Sequence, residues 1–274
     1  MHGSDYGGRI QEKYEAILHA IRARARILVA YSGGIDSSLV LKLAHDAVGD
    51  DCLAVIADSP SLPRRELEEA KRAAAQIGAA LEVVSLHELD IDEYRENSGL
   101  RCYYCRSELG QVLREIAFTR DFPSIADGAN LSDVGDYRPG MKAMDENGVW
   151  HPLLEFGVDK QTVREMSRWL GLPWHDKPSS PCLSSRIMVG QPITVENLAM
   201  IEAGEDYLHE LGFRQVRVRC LGTVAKIEVA REDVQRLDTE PLSSSINRRL
   251  TEIGFSSVTV DPRGYRTGSM NRRD

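Results

Sequence analysis

The chain has 274 residues, 42% of them hydrophobic and 28% charged, with a formal net charge of −8. This is the composition of a globular protein of one large or two ordinary domains, and no apolar run approaches the roughly 18 residues a membrane helix needs. The acidic balance argues against a nucleic-acid ligand, and Arg263, Arg266, Arg272 and Arg273 near the end read as a solvated tail.

Met1-His2-Gly3-Ser4-Asp5-Tyr6 lacks the basic and apolar regions of a signal peptide, so a cytoplasmic, reducing setting is expected. There the five cysteines are free, metal-bound or catalytic rather than paired. Ile10, Tyr14, Ile17, Leu18 and Ile21 recur at helical spacing and predict an amphipathic helix over 10–25. Ile27 to Ala30 is a short apolar strand. It breaks at Ser32-Gly33-Gly34-Ile35-Asp36-Ser37-Ser38 and resumes as a helix through Leu39 to Ala44. Strand, glycine turn and helix N-terminus together make an anion cradle. Gly33 and Gly34 permit close backbone approach, the helix end favours phosphate, and Ser32, Ser37 and Ser38 can donate further hydrogen bonds. Asp36 either holds Mg²⁺ beside a bound polyphosphate or caps the helix. The loop is neither a Walker A loop nor a dinucleotide fingerprint. It resembles the pyrophosphate loop of the PP-loop ATP pyrophosphatases, which cleave ATP between the α and β phosphates and adenylate a substrate. That resemblance implies a Rossmann-like (HUP-type) fold.

Cys52 to Ala57 is a second buried strand. A charged helix from Arg64 to Ile77 follows, and then a third strand from Leu81 to Leu86. Arg101-Cys102-Tyr103-Tyr104-Cys105 precedes a helix from about 106 to 118. Ser124 to Asp127 is a fourth strand ending at Gly128-Ala129-Asn130. Alternating strands and helices predict a parallel sheet covered on both faces. Ligands in such sheets collect at the carboxyl ends of the strands. The Ser32 loop and the turn carrying Gly128 and Asn130 are therefore expected to share one ATP pocket. Residues 131–158 read as irregular, Lys160 to Leu170 as a helix, and His175 to Arg186 as a long loop of the kind that carries function. From about Thr194 the pattern changes to a helix (195–211), a hairpin about Leu221-Gly222-Thr223, a helix (244–253) and a last strand at Ser257 to Val260. The expected organisation is an adenylating α/β domain over 1–187 and a smaller α+β domain over 188–274 for substrate binding and oligomerisation.

Two further groups carry chemistry. Cys102-x-x-Cys105 with the distant Cys182 supplies three thiolates, enough to hold a [4Fe–4S] cluster with one iron open. Three unrelated free cysteines would show the same spacing. Cys52 and Cys220 lie inside strands and read as packing residues. Arg217 and Arg219 share one strand face and suit a phosphate, although a solvated face has the same pattern.

With these residues in view the chain resembles the LarE family, the ATP-dependent sacrificial sulfur transferases of nickel-pincer nucleotide cofactor synthesis. The resemblance spans nearly the whole length. It includes the Ser32–Ser38 loop, Arg101-Cys102-Tyr103-Tyr104-Cys105, Asp136-Tyr137-Arg138-Pro139-Gly140 and Pro181-Cys182-Leu183-Ser184-Ser185-Arg186. It implies that ATP adenylates a carboxylate of pyridinium-3,5-biscarboxylic acid mononucleotide and that sulfur then displaces AMP. In one branch the cysteine at the position of Cys182 gives up its own sulfur. In the other, three cysteines hold a cluster that relays sulfide, and Cys102, Cys105 and Cys182 resemble that branch. Glu205, Arg217 and Arg219 fall where the family handles its nucleotide substrate. Arg186 and the loop amides are candidates for stabilising the oxyanion. The implied partners are a sulfide donor and further copies of the chain in a trimer-based assembly, with no nucleic acid and no membrane. The competing readings are a cluster-dependent PP-loop tRNA thiolase, a nucleotide-binding iron–sulfur sensor, and an amidotransferase-type synthetase that would not need the cysteines.

Overall fold

The computed structural model describes residues 3–134 and 139–266, with side chains from residue 8 onward. Helix α1 (Gly3–Arg22) buries Ile10, Ile17, Leu18 and Ile21, the stripe that its spacing predicts. Strand β1 (Ile27–Ala30) is buried throughout and leads through the glycine turn into α2 (Ile35–Val48). Then come β2 (Cys52–Asp58), α3 (Arg64–Ile77), β3 (Ala80–Ser85) and the one-turn α4 (Asp92–Arg95). Helix α5 (Arg101–Thr119) follows and takes in both cysteines of the C-x-x-C, which therefore lie within its opening two turns and not ahead of it. After β4 (Ser124–Ala126) the stretch expected to be irregular holds α6 (Pro139–Glu146) and α7 (Pro152–Glu155). Helix α8 (Lys160–Trp169) is capped by the Asp159 side chain, which accepts from Thr162 N–H. The remainder is α9 (Val195–Glu210), β5 (Val216–Leu221), β6 (Val224–Val229), α10 (Val234–Leu237), α11 (Leu242–Ile253) and β7 (Ser257–Val260).

The chain divides into two compact units. The first comprises residues 1–59, 64–88 and 102–180; the second comprises 60–63, 89–101 and 181–274. The first is a parallel α/β unit with strand order β3-β2-β1-β4, and Val29 stands level with Ala54 on one side and Ala126 on the other. Trp150 bridges Ala126 in parallel and extends the sheet by one residue beyond β4. Because side chains alternate along a strand, Leu28, Ala30, Leu53 and Val55 point together onto Leu109 and Leu113 of α5 and Met144 of α6. Helix α2 covers the sheet with α1, α3 and α8 packed around it. This is the doubly wound, Rossmann-like arrangement that the alternating pattern predicts.

In the second unit β5 and β6 are antiparallel, joined through Gly222 at φ +64°, and β7 runs parallel to β6. Helices α9 and α11 pack on this sheet. Ile187 adds a bridge beside Cys220. Asn97 fastens the segment before α5 to the same unit, donating from Nδ2 to the carbonyls of Met188 (2.8 Å) and Gln191 (3.0 Å).

Candidate active site

The phosphate loop is shaped by two close approaches. Gly33 adopts φ +70°, and a Cβ placed there would lie 2.6 Å from the Ala70 Cβ of α3. Glycine is therefore required by conformation and by space together. Gly34 (φ −74°, ψ 160°) is the N-cap of α2 and has no side chain to occupy the helix end. Ser32 Oγ and Ser37 Oγ lie 3.0 Å apart, and Ser37 Oγ donates to Gly34 O at 3.2 Å. Ser32 is exposed at the mouth of the loop. Ser38 is turned inward: it is wholly buried, and its hydroxyl donates to Tyr31 Oη at 3.3 Å. Two of the three hydroxyls therefore line the cradle and the third holds it to the core. The first-turn N–H groups of α2 have no partner within the helix, and the macrodipole makes this end favourable for a phosphate.

A second wall comes from the carboxyl end of β4. A Cβ on Gly128 would meet Ser37 N at 2.6 Å, so this turn lies directly against the start of α2. Asn130 Nδ2 donates to Asp36 Oδ1 at 3.3 Å, and Asn130 Oδ1 accepts from Ser132 N–H at 3.0 Å. The loop and the turn, 90 residues and more apart in the chain, thus meet at one place, as the sheet topology predicts. Asp36 is not the helix cap, a role that belongs to Gly34. It pairs with Lys160 Nζ at 2.5 Å. One carboxylate suits Mg²⁺, which is held by one or two carboxylates together with substrate phosphates.

Sequence reasoning passed over three groups here. Lys160 sits in the first turn of α8, where a cation opposes the helix dipole, and that unfavourable placement was a legible signal. Lys177 Nζ reaches Gly33 O at 3.4 Å while pairing with Glu66 (2.7 Å) and Glu69 (3.0 Å). His151 places Nδ1 2.6 Å from Asp127 Oδ1 and Nε2 3.0 Å from Asp145 Oδ1. Burial lowers its pKa, but the two carboxylates outweigh burial and the net shift is upward.

The cysteines differ in setting. Cys102 is exposed and Cys105 half-buried, and the Cys105 thiol donates to Glu88 Oε2 at 3.4 Å. Glu88 is itself buried and accepts from Ser59 Oγ at 3.0 Å. The start of α6 packs on this turn of α5: a Cβ on Gly140 would stand 3.2 Å from Cys102 O. Asp136, Tyr137 and Arg138 of the motif leading into α6 lie outside the described residues, as do Arg272 and Arg273. Cys182 belongs to the second unit, half-buried ahead of the turn Leu183–Arg186. Cys52 is buried with its thiol pushed up to about 12, and burial also raises Cys220. Three thiols are the right donor chemistry for a cluster. Among the described residues, however, no three His, Cys, Asp or Glu side chains converge closely enough to hold a metal ion.

In the second unit the charged side chains are buried and engaged. Arg186 Nε and Nη2 each donate to a Glu205 oxygen at 2.9 Å, a bidentate pair. Its Nη1 reaches the carbonyls of Pro181 (2.5 Å) and Cys182 (3.0 Å). Arg219 pairs with Glu228 at 2.8 Å and donates to Ser185 O at 3.0 Å. These arginines hold the Cys182 segment in place; the Arg186 donors considered for an oxyanion are taken up by that task. Arg217 lies over the Tyr265 ring at 5.2 Å, and burial followed by the Arg186 charge lowers its pKa. Arg186, Arg217 and Arg219 are all buried in this unit, with Glu205 and Glu228 beside them.

The NAD synthase family profile matches residues 10–98, the stretch with the phosphate loop and the first three strands. The loop, the parallel sheet and this match define a PP-loop enzyme that uses ATP. The chain is 41% identical to an uncharacterised protein of Synechocystis sp., slr1717, over 96% of its own length and 98% of that protein. It is 36% identical to pyridinium-3,5-bisthiocarboxylic acid mononucleotide synthase of Lactiplantibacillus plantarum, over 94% of each. A protein of Methanocaldococcus jannaschii, MJ0830, is 27% identical over 88% of this chain and 91% of that one. The chain belongs to the family of that synthase, the LarE family. No helix among the described residues is long and apolar enough to cross a membrane.

Proposed function

We propose that this enzyme converts a carboxylate of pyridinium-3,5-biscarboxylic acid mononucleotide to a thiocarboxylate through an acyl adenylate, in nickel-pincer nucleotide cofactor synthesis. The observation that carries the reading is the end-to-end likeness to the Lactiplantibacillus synthase in a chain that retains the phosphate loop. A carboxylate is a poor acyl electrophile because its leaving group would be oxide. Attack of a carboxylate oxygen on the α-phosphorus of ATP forms a C–O–P linkage and releases pyrophosphate. Ser32, Ser37 and the α2 N-terminus receive the phosphates, and Mg²⁺ accompanies them with Asp36 as its protein carboxylate. A sulfur nucleophile then adds to the activated carbonyl, and AMP leaves as the C–O bond breaks.

Cys102, Cys105 and Cys182 are proposed as ligands of a [4Fe–4S] cluster, which when bound would supply sulfide to the adenylate. Arg186 and Arg219 fix the Cys182 segment, Glu205 holds Arg186 through its bidentate pair, and Arg217 receives an anionic group of the substrate. Residues 188–274 serve substrate binding and assembly of a trimer-based oligomer in a cytoplasmic protein, with a sulfide donor as the external partner. The test is Cys182→Ala: pyrophosphate release persists and thiocarboxylate formation is lost. Thiolation at the normal rate would overturn the role of Cys182. Anaerobic purification with iron and sulfide counts tests the cluster, and a colourless, iron-free active enzyme would return Cys182 to the sacrificial role.

A further inference from the structure

His151 has no part in the scheme above, yet it stands at the carboxyl end of the parallel sheet, where ligands bind. It follows Trp150, the residue that extends the sheet beside β4, and is 9% exposed. Both ring nitrogens face carboxylate oxygens, Nδ1 at 2.6 Å from Asp127 and Nε2 at 3.0 Å from Asp145. A carboxylate oxygen only accepts. Both nitrogens are thus placed to donate, an arrangement that only the imidazolium form satisfies in full. The same Asp127 Oδ1 also accepts from Ala129 N–H at 3.0 Å, inside the turn that packs Gly128 on α2 and delivers Asn130 to Asp36.

We propose that the imidazolium of His151 is a positioning residue for ATP, clamping Asp127 to α6 and so setting the Gly128–Asn130 turn and Asp36 against the phosphate loop. The proposal rests on ATP use at the loop and not on which sulfur acceptor the enzyme takes. Loss of one ring proton leaves a nitrogen lone pair facing a carboxylate, and that side of the clamp opens. The charged groups facing the ring are Asp127 at the end of β4 and Asp145 on α6. Glu155 of α7 is engaged by the Trp150 indole N–H at 2.5 Å, and Asp36 with Lys160 stands beyond Asn130. The two carboxylates raise the His151 pKa above the ordinary imidazole value of about 6.5. The clamp is thus intact below the raised value and is lost as pH rises through it.

The experiment is calorimetric titration of the full chain, with Mg²⁺, using an ATP analogue whose α–β bridge cannot be cleaved, from pH 7 to 9.5. Wild-type affinity weakens about fivefold to tenfold across one inflection. His151→Gln binds at the weak level at every pH. Asp145→Asn, at a position 59% exposed, can accept from the charged ring through its amide oxygen and donate to the neutral ring through its amide nitrogen, so the inflection flattens. A purely structural histidine would not change an inflection. An unchanged inflection in Asp145→Asn overturns the proposal, as does wild-type affinity with wild-type pH dependence in His151→Gln. Should His151→Gln fail to fold, Asp145→Asn decides. No binding by the wild type at any pH would overturn the ATP reading itself, which separates the two failures.

Discussion

Replacing Gly33 by alanine combines two separable penalties. At φ +70° an L residue costs about 1–2 kcal/mol in conformation alone. The new Cβ would stand 2.6 Å from Ala70 Cβ and 3.3 Å from Ala70 Cα, and Ala70 is wholly buried on α3 with no flexible end to yield. Overpacking of this kind costs about 1–3 kcal/mol. The sum is about 2–5 kcal/mol, a large part of the roughly 5–15 kcal/mol that stabilises a domain. Gly171 provides the control, because it shares φ +70° and a Cβ there would meet nothing within 4 Å. Gly171→Ala therefore carries only the first penalty. Urea unfolding at unchanged m-value reads both variants. Ala70→Gly in the Gly33→Ala background returns the space and should show a favourable coupling of about 1–3 kcal/mol, although Ala70→Gly alone costs about 1 kcal/mol in a helix. Equal losses for the two alanine variants, or a coupling near zero, would refute the seating of the loop on α3.

Arg186→Met leaves the Glu205 carboxylate buried without its bidentate partner and should cost about 3–5 kcal/mol, most of it recovered in Arg186→Met/Glu205→Gln. Urea unfolding of both variants checks this, and a double variant no more stable than the single one would contradict the pairing. In chelator-treated protein at pH 8, iodoacetamide should label exposed Cys102 and spare Cys52. With its thiol near 12, Cys52 holds thiolate at only about one part in ten thousand. Peptide mass mapping gives the answer, and Cys52 labelled ahead of Cys102 would overturn the burial assigned to it.

The Ser32–Ser38 loop was legible because every part of its signal is local: an apolar strand, two glycines, hydroxyls and an apolar helical run lie within about twenty residues. The parallel sheet was legible for a similar reason, since strands alternating with helices leave few topologies. Helices α6 and α7 were missed because they are short and begin at prolines within a stretch rich in Gly and Asp, whose composition reads as loop.

By itself the sequence determined that an anion cradle exists, which strands surround it, and which cysteines and arginines are available for chemistry. Those properties follow from hydrophobic period and local residue type. Only the tertiary structure decided which side chains answer one another. It set Lys160 and Asn130 on Asp36, His151 between Asp127 and Asp145, and Arg186 on Glu205 and the Cys182 carbonyl. It also turned Ser38 away from the cradle it was expected to line. Such pairings join residues far apart in the chain. They are fixed by strand register and helix packing, and neither spacing nor composition encodes the distance between two side chains that the fold brings together.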